Sequence, residues 1–247
     1  MIRTVQVVIP ARDEQRRLPG CLASVAAARR VLRASRRDLT VETTVVLDRC
    51  VDGSPEVART AGVTTLTVDH GNVGATRDAG VRAALLRADA RGIPPDEVWI
   101  ACTDADTVVP PHWLVEQVAL AGTVDAVVGT VEPLGLADAA VLSAWRARHL
   151  LVEGHPHVHG ANLGLRGSTY VEVGGFRPMP VDEDVDLVRR IRAGTTRWVA
   201  TDRVRVASSA RRTPRCRGGF ADYLGALEVE VLGSRVRTGP HGRRDAG

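Results

Sequence analysis

Between residues 4 and 132 the chain switches repeatedly between the two-residue hydrophobic period of a strand and the 3.6-residue period of a helix. Thr4–Pro10 (TVQVVIP) reads as a short apolar strand, and Leu18, Leu22, Val25, Ala26 and Leu32 then fall at helical spacing within Leu18–Arg37. Val41–Asp48 is β-branched and bounded by charge, which predicts a second strand. Ser54-Pro55-Glu56 offers an N-cap and a proline at the first helical position for a short helix to about Ala61. Thr64–Val68, Glu97–Thr103 and Ala126–Glu132 read as further strands, with helices over Gly74–Arg91 and Pro111–Leu120. This alternation predicts an α/β fold with a mostly parallel central sheet and helices on both faces. Such sheets bind ligands beyond the carboxyl ends of their strands. Polar residues gather there: Arg12, Asp13 and Glu14 after the first strand, Asp48 and Asp52 after the second, Asp104 and Asp106 after the fourth.

Beyond residue 132 the pattern is less regular. Leu136–Val152 and Gly219–Leu232 read as helices, EGHPHVHG as a break and Asn162–Arg166 as a short extended piece. Ser168–Val173 reads as a helical turn ending at Gly174-Gly175, Val185–Ala193 as an amphipathic helix behind an acidic cluster, and Trp198–Ala207 as extended. No internal repeat or clear linker divides the chain. One domain is expected over 1–235, with a first half at 1–132 and a second at 133–235, followed by a mobile tail at 236–247.

Composition excludes several classes. The 33 basic residues are all Arg, the formal net charge is +4, and no basic run is interleaved with aromatics, so the usual nucleic-acid footprint is missing. Cys21, Cys50, Cys102 and Cys216 form no CxxC pair, which argues against a cysteine zinc site and a dense disulfide framework. No apolar run approaches the ~20 residues that span a bilayer, and the N-terminus lacks a signal-peptide core. A cytoplasmic protein is expected, with room for peripheral contact between Arg-rich surface and an anionic membrane.

Asp104-Ala105-Asp106 places two carboxylates where an apolar strand stops. Like charges this close push one group towards protonation unless a cation lies between them. A hard divalent cation with oxygen ligands, held also by substrate phosphates, resolves the repulsion. A solvated loop or a helix cap would use the same residues. Asp182-Glu183-Asp184-Val185-Asp186 suits the N-terminus of the following helix, whose dipole is expected to keep Asp184 ionised. His155, His157 and His159 alternate and would share one face of an extended segment, a pattern that can bind zinc; Pro156 and the flanking glycines favour an irregular loop instead.

In order and spacing, VVIPARDE, LDRCVDGS, GNVGATRDAG, the DxD, HGANLGLRGSTYVEVGGF and DEDVDLVRR resemble the family 2 glycosyltransferases of the GT-A fold, over about residues 4–195. The resemblance implies that Ile9, Pro10, Ala11 and Glu14 contact the nucleoside of a nucleotide-sugar donor and that Asp48 reads the base edge, usually uracil. Adjacent aspartates are usual there; here Arg49-Cys50 intervene before Asp52. Gly74 and Arg77 match a segment beside the nucleotide, where a glycine permits close approach and an arginine near a helix start suits phosphate. Asp104, Ala105 and Asp106 match the motif that binds ribose and the Mg²⁺ or Mn²⁺ on the diphosphate. Glu183-Asp184 match the pair that holds the acceptor hydroxyl, with Asp184 as base and Glu183 as second choice. Asn162 is expected on donor or acceptor sugar and His159 on substrate. Arg211 and Arg215 read either as a lid that clamps phosphate or as a solvated basic loop.

The activity implied is metal-dependent transfer of a hexose, with inversion, to a hydroxyl acceptor, from a UDP-sugar ahead of GDP-mannose. A sugar-phosphate nucleotidyltransferase would carry a glycine-rich GxGxR loop and lysines, where this chain has PARDE and no lysine. A catalytically idle nucleotide-sugar-binding protein would not require Asp184.

Overall fold

The computed structural model describes residues 1–195, 197–210 and 220–237. Its strands are β1 (Thr4–Ala11), β2 (Thr40–Asp48), β3 (Thr64–Val68), β4 (Val98–Cys102), β5 (Thr107–Val108), β6 (Ala126–Leu134), β7 (Leu163–Arg166) and β8 (Trp198–Ser209). Its helices are α1 (Leu18–Ser35), α2 (Ser54–Thr60), α3 (Val73–Asp89), α4 (Trp113–Leu120), α5 (Ala139–Arg148), α6 (Gly167–Glu172), α7 (Glu183–Gly194) and α8 (Phe220–Arg237). The chain divides into two compact units, Met1–Glu132 with Leu151–Ser208, and Pro133–Leu150 with Ser209–Gly247.

The first unit is built on a sheet in the order β3-β2-β1-β4-β7-β6-β8-β5. β3, β2, β1 and β4 pair in parallel. Beyond β4 the pairings of β7 with β4 and β6, and of β5 with β8, are antiparallel. β1 is buried along its whole length, as a strand covered on both faces must be. Its side chains alternate between two cores: Val5, Val7 and Ile9 join Leu18, Leu22, Leu32 and Trp113, while Val8 joins Ile100, Leu165, Leu187 and Ile191. That alternation is the two-residue period of the strand expressed as packing.

Several boundaries differ from the sequence pattern for local reasons. Gly53, not Ser54, is the residue before α2, and the Ser54 hydroxyl instead accepts the Glu14 amide at 2.8 Å. α7 starts at Glu183, two residues early, because Asp182 turns the chain in the left-handed region at φ 60°. In the second unit, α5 is shorter than the apolar run suggested. Asp138 caps it by accepting the Ala140 and Val141 amides, and His149 leaves the helix in an extended conformation. His149 stacks on Trp145 at 4.5 Å and meets Tyr223 of α8 edge-on at 5.1 Å. Arg148 pairs with Glu230.

Candidate active site

β4 carries the DxD motif to the carboxyl edge of the sheet, where the turn is pinned on both sides. The Asp104 carbonyl accepts the Thr107 amide at 3.1 Å and the Cys21 thiol of α1 at 3.3 Å. Ala105 points into the core. Pairing of Thr107 with Ser208 brings β8 alongside, and the Ser208 hydroxyl approaches Asp106 Oδ1 at 3.4 Å. Burial pushes the Cys21 thiol well above its ordinary range, with Asp104, Asp106 and Glu14 adding to the shift, so Cys21 stays protonated beneath the motif.

α3 supplies the group that organises the site. Asn72 caps the helix by accepting the Ala75 amide at 2.9 Å and donates to the Met179 carbonyl at 2.7 Å. A Cβ on Gly74 would collide with the Arg177 carbonyl oxygen and crowd the Glu183 side chain, so only glycine lets the two segments approach this closely. One turn on, Arg77 is 3% exposed. Its Nη2 donates to Asp104 Oδ1 at 2.6 Å, its Nη1 pairs with Glu183 Oε1, and its guanidinium lies over the Phe176 ring. Burial works against the charged guanidinium. Asp104, Glu183 and Asp184 outweigh it and hold Arg77 more firmly protonated than an ordinary arginine. Sequence reading placed Arg77 beside the nucleotide; in the structure its Nη1 and Nη2 bridge two carboxylates.

Glu183 and Asp184 open α7. Burial raises the Glu183 carboxyl, Arg77 opposes the rise, and Asp184 adds to it. Asp184 accepts the Gly160 amide at 2.5 Å and the Val185 amide at 2.8 Å. Its carboxyl is also raised, by burial first, against Arg77 and those two amides. Burial thus outweighs the amides of the helix start in setting the direction of the shift at Asp184. A carboxylate has about four lone-pair sites, and two of those on Asp184 carry amides.

Asp48, at the end of β2, is buried and accepts the His70 and Gly71 amides at 2.9 and 3.0 Å and the Thr76 hydroxyl at 2.9 Å. Burial works against its ionisation, and these hydrogen bonds outweigh it, so its carboxyl is lowered. Pro10, Ala11 and Glu14 lie where β1 meets the crevice; Glu14 is buried and its backbone joins the turn into α1. Asp13, Cys50 and Asp52 cluster with their ligand atoms within 4.8 Å of one another. Asp13 accepts the Val51 amide, Asp52 accepts those of Gln15 and Ser54, and the Cys50 thiol donates to the Ala11 carbonyl. The cluster ties the loops after β1 and β2 together.

Asn162 departs from its expected role. It is 1% exposed; its amide donates to the Thr130 and Val204 carbonyls, each at 2.8 Å, and accepts the Trp113 indole at 3.0 Å. The side chain is a core tie whose oxygen and nitrogen are both bonded within the protein. His155, His157 and His159 do share one face: their rings stack at 6.1 and 6.3 Å. His155 is buried and bonded to the Val128 carbonyl, while His159 precedes the turn that presents the Gly160 amide to Asp184. Arg211 and Arg215 lie outside the described residues, as does the tail expected at 236–247 apart from residues 236 and 237, which end α8. Gly160 and Phe176 were expected to flank the acceptor region; sequence reading missed Ser208, which reaches Asp106 only through a strand pairing that no local pattern reveals.

A half-parallel, half-antiparallel sheet with a DxD at the end of a central strand and a partly buried acidic pair facing it has the fold of a GT-A glycosyltransferase. Residues 6–155 match the model of "Glycosyl transferase family 2", and the chain belongs to that family and is a glycosyltransferase. Among solved structures, the S. aureus TarS fragment 1–349 in complex with UDP-GlcNAc aligns with TM-score 0.62 at 11% identity, over 96% of this chain and 68% of that one. The mannosyltransferase PcManGT from Pyrobaculum calidifontis, in complex with GDP-Man and Mn²⁺, aligns with TM-score 0.60 at 18% identity, over 96% and 65%. A mycobacterial protein aligns with TM-score 0.54 at 20% identity, over 95% and 74%. Against S. aureus TarS beyond that fragment, the chain spans 44% of the relative's length. No curated protein matches the chain in sequence. No helix among the described residues is long and apolar enough to cross a membrane.

Proposed function

We propose that this chain transfers a hexose, with inversion, from a nucleotide diphosphate sugar to a hydroxyl acceptor. The observation that carries the proposal is the union of the DxD motif with Glu183-Asp184 through the buried Arg77. In this reading Asp184 accepts the proton of the acceptor hydroxyl as its oxygen attacks the anomeric carbon and the bond to the diphosphate breaks. A carboxyl raised by burial suits that task, because a base works best with a pKa near the operating pH. Glu183, neutralised by Arg77, positions the acceptor and fixes the start of α7.

Asp104 and Asp106 fit a divalent metal. Both offer hard carboxylate oxygens, Asp104 gives only one oxygen to Arg77, and its side chain is 31% exposed. Mg²⁺ or Mn²⁺ held there would offset charge on the departing diphosphate as a Lewis acid. The GDP-Man and Mn²⁺ complex of PcManGT and the UDP-GlcNAc complex of TarS support a nucleotide-sugar donor. We place UDP-sugars ahead of GDP-mannose on the sequence resemblance at Asp48. Asp48 is engaged by the His70–Gly71 amides, so it acts in this proposal by holding the loop that borders the nucleoside.

A thermal-shift screen of UDP, GDP, ADP and dTDP, each with and without Mn²⁺, tests the reading. Ligand that binds only the folded protein adds about 2.7 kcal/mol at a hundredfold excess over Kd. One nucleotide standing out only with metal supports the donor and metal assignments. Equal, metal-independent shifts for all four overturn them.

A further inference from the structure

A groove with a volume of about 540 Å³ runs between α1 and α2 over β2, within the size range of small-molecule and acyl-chain sites. Leu22, Val25, Ala26, Val57, Ala61 and Val63 line it. It stays open because the residues where the helices meet are small: Ala23, Ala26, Ala61 and Gly62, with open space around the Gly62 Cα. Arg29 stands on its wall. Leu22, Ala26, Arg29 and Arg33 follow one another at three- and four-residue steps, so the apolar stripe of α1 becomes a basic stripe towards its C-terminus. Arg30, one residue on from Arg29, and Arg37, just past the helix, add to it, and all four arginines are exposed. None of the four has an ion-pair partner among the described residues, and α1 contains no Asp or Glu. The other ion pairs of this region, Glu56 with Arg59 and Arg36 with Asp38, are self-contained.

An apolar groove continuous with unpaired cations on one helix is the surface an anionic bilayer recognises: acyl chains take the apolar part and headgroups the arginines. We infer that the α1–α2 face docks this protein on a membrane rich in anionic lipid. α1 begins beside Glu14 at the carboxyl edge of the sheet and runs about 27 Å away from it. Docking through its far end leaves the catalytic crevice uncovered.

Co-sedimentation with phosphatidylglycerol vesicles and with phosphatidylcholine vesicles tests the inference. The protein binds the former and not the latter. R29Q/R30Q/R33Q weakens partition by about a hundredfold, at roughly fivefold for each arginine near an anionic surface. Ala61→Asp, which puts a carboxylate in the exposed groove wall, weakens it at least tenfold with all arginines present. Both variants keep the wild-type melting temperature and nucleotide-induced shift, which separates this surface from the donor site. Absence of vesicle binding overturns the inference, as does binding that survives either variant. Retention on a soluble polyanion such as heparin without vesicle binding also overturns it.

Discussion

Arg77 Nη2 lies 2.6 Å from Asp104 Oδ1 while its Nη1 pairs with Glu183, so one buried guanidinium joins the two acidic motifs. Without that charge the buried Glu183 would face the partly exposed Asp104 with no cation between them. Arg77→Gln leaves them facing each other, and removing one partner of a buried pair costs about 3–5 kcal/mol. Arg77→Lys restores the charge but not the planar fork, and recovers only part of the loss. Urea denaturation of the three proteins checks this; equal midpoints would show that the bridge does not hold the site together.

How far this was legible depends on the distance over which each feature is determined. β4 and its DxD were readable because an apolar strand and the carboxylates that end it are contiguous in sequence. So was α7, apart from the two residues that the left-handed Asp182 adds. The antiparallel half was not readable: a strand's period states which face is buried and says nothing of its direction, and β7 acquires its direction only by pairing with β4 and β6. The internal partners of Arg77 and Asn162 were not legible either. Both are polar residues near the crevice in sequence, and only the structure shows Arg77 bridging two carboxylates and Asn162 tied to Trp113, Thr130 and Val204. The one sequence signal for the Arg77 bridge is Gly74 three residues earlier, on the same face of α3, where the glycine admits the Glu183 segment.

Asn162→Ala is expected to damage stability rather than substrate binding. It strips partners from the Trp113 indole and from the Thr130 and Val204 carbonyls. An orphaned buried polar group costs about 1–3 kcal/mol, so a loss of roughly 3 kcal/mol or more is expected. Thermal melts without ligand check the first half and the acceptor KM of the folded fraction the second. A variant with wild-type stability and a raised KM would return Asn162 to the sugar.

Asp106→Asn should abolish the part of the nucleotide shift that Mn²⁺ adds, and leave the metal-free melting temperature near wild type. Asp106 is half-buried at the crevice, and its long contact to Ser208 is one an asparagine can keep. Titration of Mn²⁺ in the presence of nucleotide reads this directly. A metal-dependent shift that persists undiminished would move the metal to other oxygens.

The pH dependence of transfer follows from Asp184. Only its ionised form accepts a proton, and burial raises its pKa above the ordinary aspartate value of 3.8. Activity is therefore lost as pH falls through the raised folded-state value, so the acidic limb of kcat/KM lies above the range of a solvated aspartate. Arg77 opposes that rise. In the folded fraction of Arg77→Gln the ionised form loses its stabilising charge, and the limb moves to still higher pH. Asp184→Asn keeps the shape, removes the basicity and lowers the rate by about 10²–10⁴-fold at every pH. Nucleotide affinity, measured on the same preparation, stays close to wild type. Rate–pH profiles of the three proteins decide the matter: near wild-type transfer by Asp184→Asn would pass the role to Glu183, and a limb unmoved by Arg77→Gln would detach the titrating group from this cluster.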